Sequence, residues 1–187
     1  KAAERNCAIA GSVAVCENGN YYNRFYFVYP DGAVQHYDKK HLFTFGGEHK
    51  RFTAGTERVV VNFRGVRILL EVCYDLRFPV WARNLGDYDM ILYVASWPTP
   101  RVDAWSALLR ARAIENQCYV AGVNRMGVDP ACEYSGGSAI IDPYGKTIAE
   151  CPWSRESAVS ADIDMEALQA FRKKFPVLDD ADPFTLI

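Results

Sequence analysis

Residues 69–79, LLEVCYDLRFP, decide how this chain folds. An apolar run typical of a buried strand stops at Cys73, a short polar segment follows, and Pro79 is well placed at the start of a helix. A thiol at such a strand-to-helix corner is exposed above the sheet, and the backbone N–H of Tyr74 is expected to point into the same space. The pattern predicts Cys73 as a nucleophile. The alternative is a cysteine that merely ends a buried strand.

Predicted strands and helices alternate along the rest of the chain. Residues 90–96 are apolar on both faces of their strand, which requires covering layers on both sides, and the hairpins favour a mixed sheet over a parallel one. We expect one domain over residues 1–187, with Asp103 capping its central helix. The predicted strands cover residues 8–15, 22–29, 33–37, 58–63, 66–73, 90–96, 119–124, 138–141 and 147–151, and the predicted helices residues 78–85, 104–116 and 165–175.

The composition is that of an ordinary globular domain. Half of the 187 residues are apolar, 24% are charged and the net charge is −2, which predicts no nucleic-acid or membrane partner. The six cysteines have wide, irregular spacing, which argues against disulfides and zinc and favours a reducing, cytoplasmic setting. Because the chain opens with Lys1 in a helix-like segment, we expect it to start partway through a domain.

A second informative segment is YDKKHLF at residues 37–43, where two lysines and a histidine end a predicted strand. Successive side chains of a strand face opposite ways, so Lys39 and Lys40 cannot both point at one site. A lysine beside Cys73 would stabilise its thiolate and then the oxyanion that forms on attack. The alternative is a solvated charge cluster at a strand end.

Taken together, these segments resemble the nitrilase, or carbon–nitrogen hydrolase, superfamily. Within that superfamily they are most similar to the bacterial omega-amidases, which hydrolyse 2-oxoglutaramate. The similarity covers essentially the whole chain, with the motifs in the family's order. It rests on residues 37–49 (YDKKHLFTFGGEH), Gly55, residues 73–85 (CYDLRFPVWARNL), residues 88–101 (YDMILYVASWPTPR), residues 112–117 (RAIENQ) and residues 174–176 (KFP).

The resemblance implies an α/β fold, a four-layer α-β-β-α sandwich, that is incomplete here at its N-terminus. It also implies a Glu-Lys-Cys catalytic set in which Cys73 is the nucleophile, Lys39 the lysine and Glu48 a supporting glutamate. The backbone N–H of Tyr74 would join Lys39 in holding the oxyanion. A small amide would be the substrate, no metal or organic cofactor would be needed, and a homodimer or higher homo-oligomer is the expected assembly.

The chain departs from the family pattern at the general base. That glutamate should precede Lys39, yet only Glu4 and Glu17 do, and neither has the right context. We therefore expect the N-terminal portion of the domain to be missing from this sequence. The alternative is a catalytically silent interaction module that keeps the same scaffold.

An omega-amide carries a distant carboxylate, so the pocket needs at least one cation. Three arginines on predicted loops are candidates, Arg77, Arg101 and Arg125, and the sequence does not choose among them. Trp97 at the end of a buried strand could form a pocket wall, or could equally be a core or interface aromatic. Nitriles and N-carbamoyl amides are alternative substrates within the superfamily.

A Cys–His hydrolase is the remaining enzymatic alternative. In that hypothesis His41, which would share the strand face of Lys39, activates Cys73. The sequence alone does not exclude it.

Overall fold

The computed structural model describes residues 1–185 of the chain. The strands are β1 (Ile9–Glu17), β2 (Asn20–Val28), β3 (Val34–Asp38), β4 (Val60–Phe63), β5 (Val66–Val72), β6 (Met90–Ala95), β7 (Tyr119–Asn124), β8 (Met126–Val128), β9 (Glu133–Ser135), β10 (Ala139–Ile141) and β11 (Thr147–Glu150). The α-helices are α1 (Ala2–Arg5), α2 (Pro79–Ala82), α3 (Val102–Glu115) and α4 (Met165–Lys174), and 3-10 turns cover Thr44–Gly46, Glu48–Lys50, Cys73–Arg77, Thr99–Arg101 and Val177–Asp180.

Two main sheets carry most of these strands. The first has the order β1-β2-β3 and is antiparallel throughout. The second has the order β11-β10-β7-β6-β5-β4, with the parallel strands β5, β6 and β7 at its centre and antiparallel strands at both edges. The larger sheet is therefore mixed, as predicted.

Each face of the larger sheet has its own apolar core, because successive side chains of a strand point to opposite faces. One face packs against the three-stranded sheet through residues that include Phe25, Phe27, Tyr37, Leu70 and Val72. The other face packs against α3 through residues that include Leu69, Ile91, Tyr93, Val120, Trp105 and Leu109. This arrangement provides sheet, sheet and helix layers of the expected sandwich.

Two predicted helix boundaries were wrong. The helix expected over residues 78–85 is only the single turn of α2, because Arg83 adopts an extended conformation with ψ of 128°, and a 3-10 turn over Cys73–Arg77 precedes it. In α3 the N-cap is Arg101, so Asp103 lies inside the first turn and makes no capping hydrogen bond. The short hairpin of β8 and β9 was not predicted.

The C-terminal helix α4 is fastened to the larger sheet by Arg172. Its guanidinium donates hydrogen bonds to the carbonyl oxygens of Gln117 and Tyr88, at 2.9 and 3.0 Å, and to the Asp89 carboxylate at 2.9 Å. Among the described residues, no helix has the length and apolar character to cross a membrane.

Candidate active site

Cys73 lies at the corner that follows β5. Its φ is 49°, in the left-handed region that costs a non-glycine residue about 1–3 kcal/mol and persists only where the surrounding structure enforces it. The half-buried thiol makes a weak hydrogen bond of 3.9 Å to the carbonyl oxygen of Ser96, just beyond the end of β6. The strained corner therefore holds the sulfur at the carboxyl end of two neighbouring parallel strands.

Lys39 approaches the same region from the end of β3. Its side chain is only 3% exposed, and its Nζ donates a 2.6 Å hydrogen bond to Glu48 Oε2. Glu48 also accepts hydrogen bonds from the backbone N–H of Phe43 at 2.6 Å and from Asn23 Nδ2 at 3.2 Å. Each carboxylate oxygen of Glu48 thus has a partner, and the glutamate anchors the lysine.

Lys40 points the other way. Its ammonium lies 5.2 Å from the centre of the Trp81 ring, whereas Lys39 is held by Glu48. This is the opposite-face arrangement that the strand pattern predicted for the two lysines.

Gly55 allows the end of β3 to lie where it does. Its N–H donates a 2.9 Å hydrogen bond to the carbonyl oxygen of Lys39. A Cβ atom at position 55 would lie 2.0 Å from the carbonyl oxygen of Asp38, so only glycine allows this approach without displacing the strand end.

Cys73, Lys39 and Glu48 share one cavity of about 490 Å³. The sulfur and the amino group that the sequence analysis singled out are therefore walls of a single space. The remaining lining residues come from β1, β2, the loop after β3 and the carboxyl ends of β5, β6 and β7: Ala10, Gly11, Ser12, Asn23, Phe43, Val72, Val94, Ala95, Ser96, Val123, Asn124 and Arg125.

The electrostatics of the cavity centre on the Lys39 charge. Burial raises the pKa of the Cys73 thiol, and the ammonium of Lys39 opposes that rise. Burial tends to raise the pKa of Glu48, but the charge and hydrogen bond of Lys39 together with the hydrogen bonds from Phe43 and Asn23 outweigh it, and the pKa lies below its ordinary value. Glu48 is therefore an anion at neutral pH, and Lys39 is the group that favours a thiolate on Cys73.

The buried carboxylate of Asp75 joins the segments that carry Cys73 and Lys39. One oxygen accepts hydrogen bonds from Tyr37 Oη at 2.8 Å and from the backbone N–H of Val72 at 3.0 Å. The other accepts from the backbone N–H of His41 at 2.9 Å and lies 2.8 Å from His41 Nδ1. Asp75 thus ties the corner that carries Cys73 to the strand end that carries Lys39, a role that sequence analysis did not assign.

His41 belongs to this junction and not to the cavity. Its ring stacks on Phe78, with centroids 3.8 Å apart and planes inclined by 5°. Among the residues that the structure describes, His41 is not on the cavity wall with Cys73. The geometry therefore does not support the alternative in which His41 activates the thiol.

We expect Asp75→Asn to lower the unfolding free energy by about 1–3 kcal/mol and kcat by roughly 10-fold, with a smaller change in KM. Whichever oxygen becomes an amide nitrogen would face a backbone N–H donor, from Val72 or His41. Thermal unfolding and steady-state kinetics measure the two effects. The exposed Asp103→Asn is the matched control, and an unchanged kcat in Asp75→Asn would contradict the positioning role.

The candidate substrate-binding residues divide into two groups. Arg125 lines the large cavity, whereas Arg77, Arg101 and Trp97 line a smaller recess that also has Cys73 on its wall. Trp97 is buried and its indole N–H donates a 2.7 Å hydrogen bond to the carbonyl oxygen of Arg101. Trp97 therefore serves as both a core aromatic and a wall of the recess.

Neither upstream glutamate lies at the cavity. Glu4 pairs with Lys1 at 3.2 Å, and Glu17 pairs with Arg24 at 2.9 Å. Among residues 1–185, Glu48 is the one carboxylate on the cavity wall, and it is already bound to Lys39.

The sheets and helices have the fold of nitrilase-superfamily proteins. A carbon–nitrogen hydrolase superfamily protein from Xanthomonas campestris, with an arsenic adduct in its active site, superimposes with a TM-score of 0.96 at 47% identity, over 99% of this chain and 73% of that chain. Nit3 from Saccharomyces cerevisiae, 24% identical, superimposes with a TM-score of 0.85 over 94% of this chain and 66% of that chain. The class of protein is thus a nitrilase-type α/β sandwich, as the motifs implied.

Sequence relatives give the family. The carbon–nitrogen hydrolase profile matches residues 1–173. Omega-amidase YafV of Escherichia coli K12 is 53% identical over 187 residues, 100% of this chain and 73% of that protein. The 2-oxoglutaramate amidase of Bacillus subtilis is 42% identical over 175 residues, 92% of this chain and 67% of that protein. The chain belongs to the carbon–nitrogen hydrolase family and is an amidohydrolase, acting on carbon–nitrogen bonds.

Proposed function

We propose that this amidohydrolase releases ammonia from a small omega-amide, such as 2-oxoglutaramate, through a cysteinyl thioester on Cys73. The observation that carries the proposal is the shared cavity of Cys73 and Lys39, with Lys39 held by Glu48. A primary amide is a poor electrophile with a poor leaving group, so covalent catalysis in two steps suits it.

In the first step the Cys73 sulfur attacks the amide carbon and a C–S bond forms. The carbonyl oxygen becomes an oxyanion that the Lys39 ammonium and the Tyr74 backbone N–H stabilise. The oxyanion then collapses, the C–N bond breaks and ammonia leaves with the proton that the thiol gave up. Glu48 keeps Lys39 in place throughout, because its carboxylate binds the lysine and the Phe43 N–H together.

In the second step water attacks the thioester carbon, the C–S bond breaks and the free acid leaves. Both steps need a base that carries a proton, from the thiol to ammonia and then from water to the sulfur. The family resemblance predicts a glutamate upstream of Lys39 for this role. Glu48 does not suit this role, because its carboxylate already accepts hydrogen bonds from Lys39, Phe43 and Asn23. The identity of the proton carrier therefore stays a prediction.

An omega-amide as the substrate is supported by the relatives of this chain and by the cationic side chains around Cys73. An omega-amidase and a 2-oxoglutaramate amidase are 53% and 42% identical to this chain. An omega-amide of this kind carries a carboxylate, and three arginines line the two spaces next to the sulfur, Arg77, Arg101 and Arg125.

We expect the full-length protein to release ammonia from 2-oxoglutaramate and succinamate with kcat/KM about 10-fold or more above that for butyronitrile or N-carbamoyl-β-alanine. A coupled ammonia assay measures all four. Faster turnover of the nitrile or the ureido acid would assign the chain to another branch of the family. No turnover of any of them, together with an iodoacetamide-resistant Cys73, would favour the silent scaffold.

We further propose a single domain, a cytoplasmic setting and a homodimer or higher homo-oligomer. The single domain is supported by β5, whose side chains contribute to both apolar cores. The reducing compartment is supported by the six cysteines, which are all free thiols. Sedimentation velocity tests the assembly.

A further inference from the structure

A small recess opens beside the catalytic sulfur. It has a volume of about 40 Å³ and shares Phe43, Cys73 and Ser96 with the large cavity. Its other walls are Tyr74, Arg77, Trp97, Pro98 and Arg101. The volume exceeds the roughly 10–15 Å³ that a cavity needs to hold a single water molecule, so the recess has room for a small polar group.

Two guanidinium groups line the recess, those of Arg77 and Arg101. Arg77 lies 4.9 Å from the centre of the Trp97 ring, and Arg101 lies 5.4 Å from the centre of the Phe43 ring. Within residues 1–185, the recorded contacts of these two guanidinium groups are with aromatic rings, and neither forms an ion pair with a carboxylate. Aromatic faces attract these cations but leave their N–H donors available.

Arg125 differs from these two arginines. Its guanidinium lies 4.3 Å from the centre of the Tyr134 ring and forms an ion pair of 3.4 Å with Asp129. Asp129 itself is held by the Tyr134 hydroxyl at 2.9 Å. A substrate carboxylate at Arg125 would therefore compete with an existing anion, whereas one in the recess would not.

The walls of the recess are fixed by hydrogen bonds of the backbone. The N–H of Trp97 donates to Asn124 Oδ1 at 2.7 Å, and the indole N–H donates to the carbonyl oxygen of Arg101, also at 2.7 Å. The N–H of Arg101 donates to the carbonyl oxygen of Pro98 at 3.0 Å. Arg101 is thus held on a preformed loop, and Arg77 ends the 3-10 turn that begins at Cys73, which reduces the entropy lost when an anion binds.

We propose that Arg77 and Arg101 bind the substrate carboxylate in this recess, and that Arg125 does not. The inference rests on the proposed omega-amidase function and names the part of the site that selects for a distant carboxylate. Charge-assisted hydrogen bonds from guanidinium groups are the interactions best suited to this role. Cys73 is itself on the recess wall. A substrate with a short acyl chain would therefore bring its amide carbon to the sulfur while its carboxylate binds in the recess.

The test compares succinamate with butyramide, which has a methyl group in place of the carboxylate. In the full-length protein we expect Arg77→Met and Arg101→Met each to lower kcat/KM for succinamate by about 10- to 100-fold. The ratio of kcat/KM for succinamate to kcat/KM for butyramide should fall in both variants, because only succinamate carries the carboxylate that the arginines would bind. Arg101→Lys should retain part of the succinamate activity, since it keeps the charge but loses the planar fork.

Arg110→Met is the matched control, since this exposed arginine of α3 contacts Thr147 on β11. Equal losses for both amides would mean that the arginines serve packing and would overturn the proposal. A carboxylate-specific loss in Arg125→Met alone would move the carboxylate to the large cavity and also overturn it. A wild-type enzyme that hydrolyses neither amide would instead refute the proposed function, which separates the two failures.

Discussion

Replacing Cys73 by alanine is expected to lower amide turnover by about 10⁴-fold or more while the fold stays intact. The thiol is the nucleophile of the proposed mechanism, and alanine has the same Cβ as cysteine at the left-handed φ of 49°. Alanine also leaves every hydrogen bond of Asp75 in place, so the corner itself should persist. Ammonia release from succinamate measures the loss, and circular dichroism with thermal unfolding measures the fold.

Cys16→Ala is the matched control for that experiment, because this exposed thiol lies on β1. It should keep near wild-type activity. Mass spectrometry after a rapid quench should show an acyl adduct on Cys73 in the wild type and none in Cys73→Ala. Turnover that survives the Cys73 replacement at a near wild-type rate would rule out the thioester mechanism.

The corner at Cys73 was predictable because its signals are local. An apolar run, a polar break and Pro79 in a helix start follow one another in 11 residues, and the structure has β5, the turn over Cys73–Arg77 and α2 in that order. The opposite directions of Lys39 and Lys40 follow from the two-residue period of a strand. Both inferences need only neighbours in sequence.

The Asp75 junction was not predictable in the same way. Its hydrogen-bond donors come from residues 37, 41 and 72, and their meeting depends on how the two sheets pack. The recess likewise combines segments around Phe43, Tyr74 and Trp97, so the sequence could offer three arginines but could not choose among them. Glu71 is a further case, a carboxyl that is fully buried within an apolar strand. Burial and then the nearby Asp75 charge raise its pKa well above the ordinary range.

Replacing Lys39 by methionine is expected to lower kcat by about 10²- to 10³-fold, the usual effect of removing one oxyanion donor. Lys40→Met is the matched control, because Lys40 faces Trp81 and should leave kcat within about twofold. Since Lys39→Met would leave the half-buried Glu48 anion without its partner, Lys39→Met/Glu48→Gln should restore stability but not turnover. A double variant with near wild-type kcat would contradict the role of Lys39.

Lys39→Met should also shift the pH dependence of activity in one direction. Burial raises the pKa of Cys73 and the Lys39 charge lowers it, so removing that charge moves the thiol pKa further upward. Activity and alkylation both need the thiolate, which means that the acid limb of each pH profile should shift to higher pH in Lys39→Met. The alkylation rate of Cys73 by iodoacetamide should therefore fall most at neutral pH and recover in alkaline solution. An acid limb that stays in place, or moves to lower pH, would mean that the Lys39 ammonium does not act on the sulfur across this cavity.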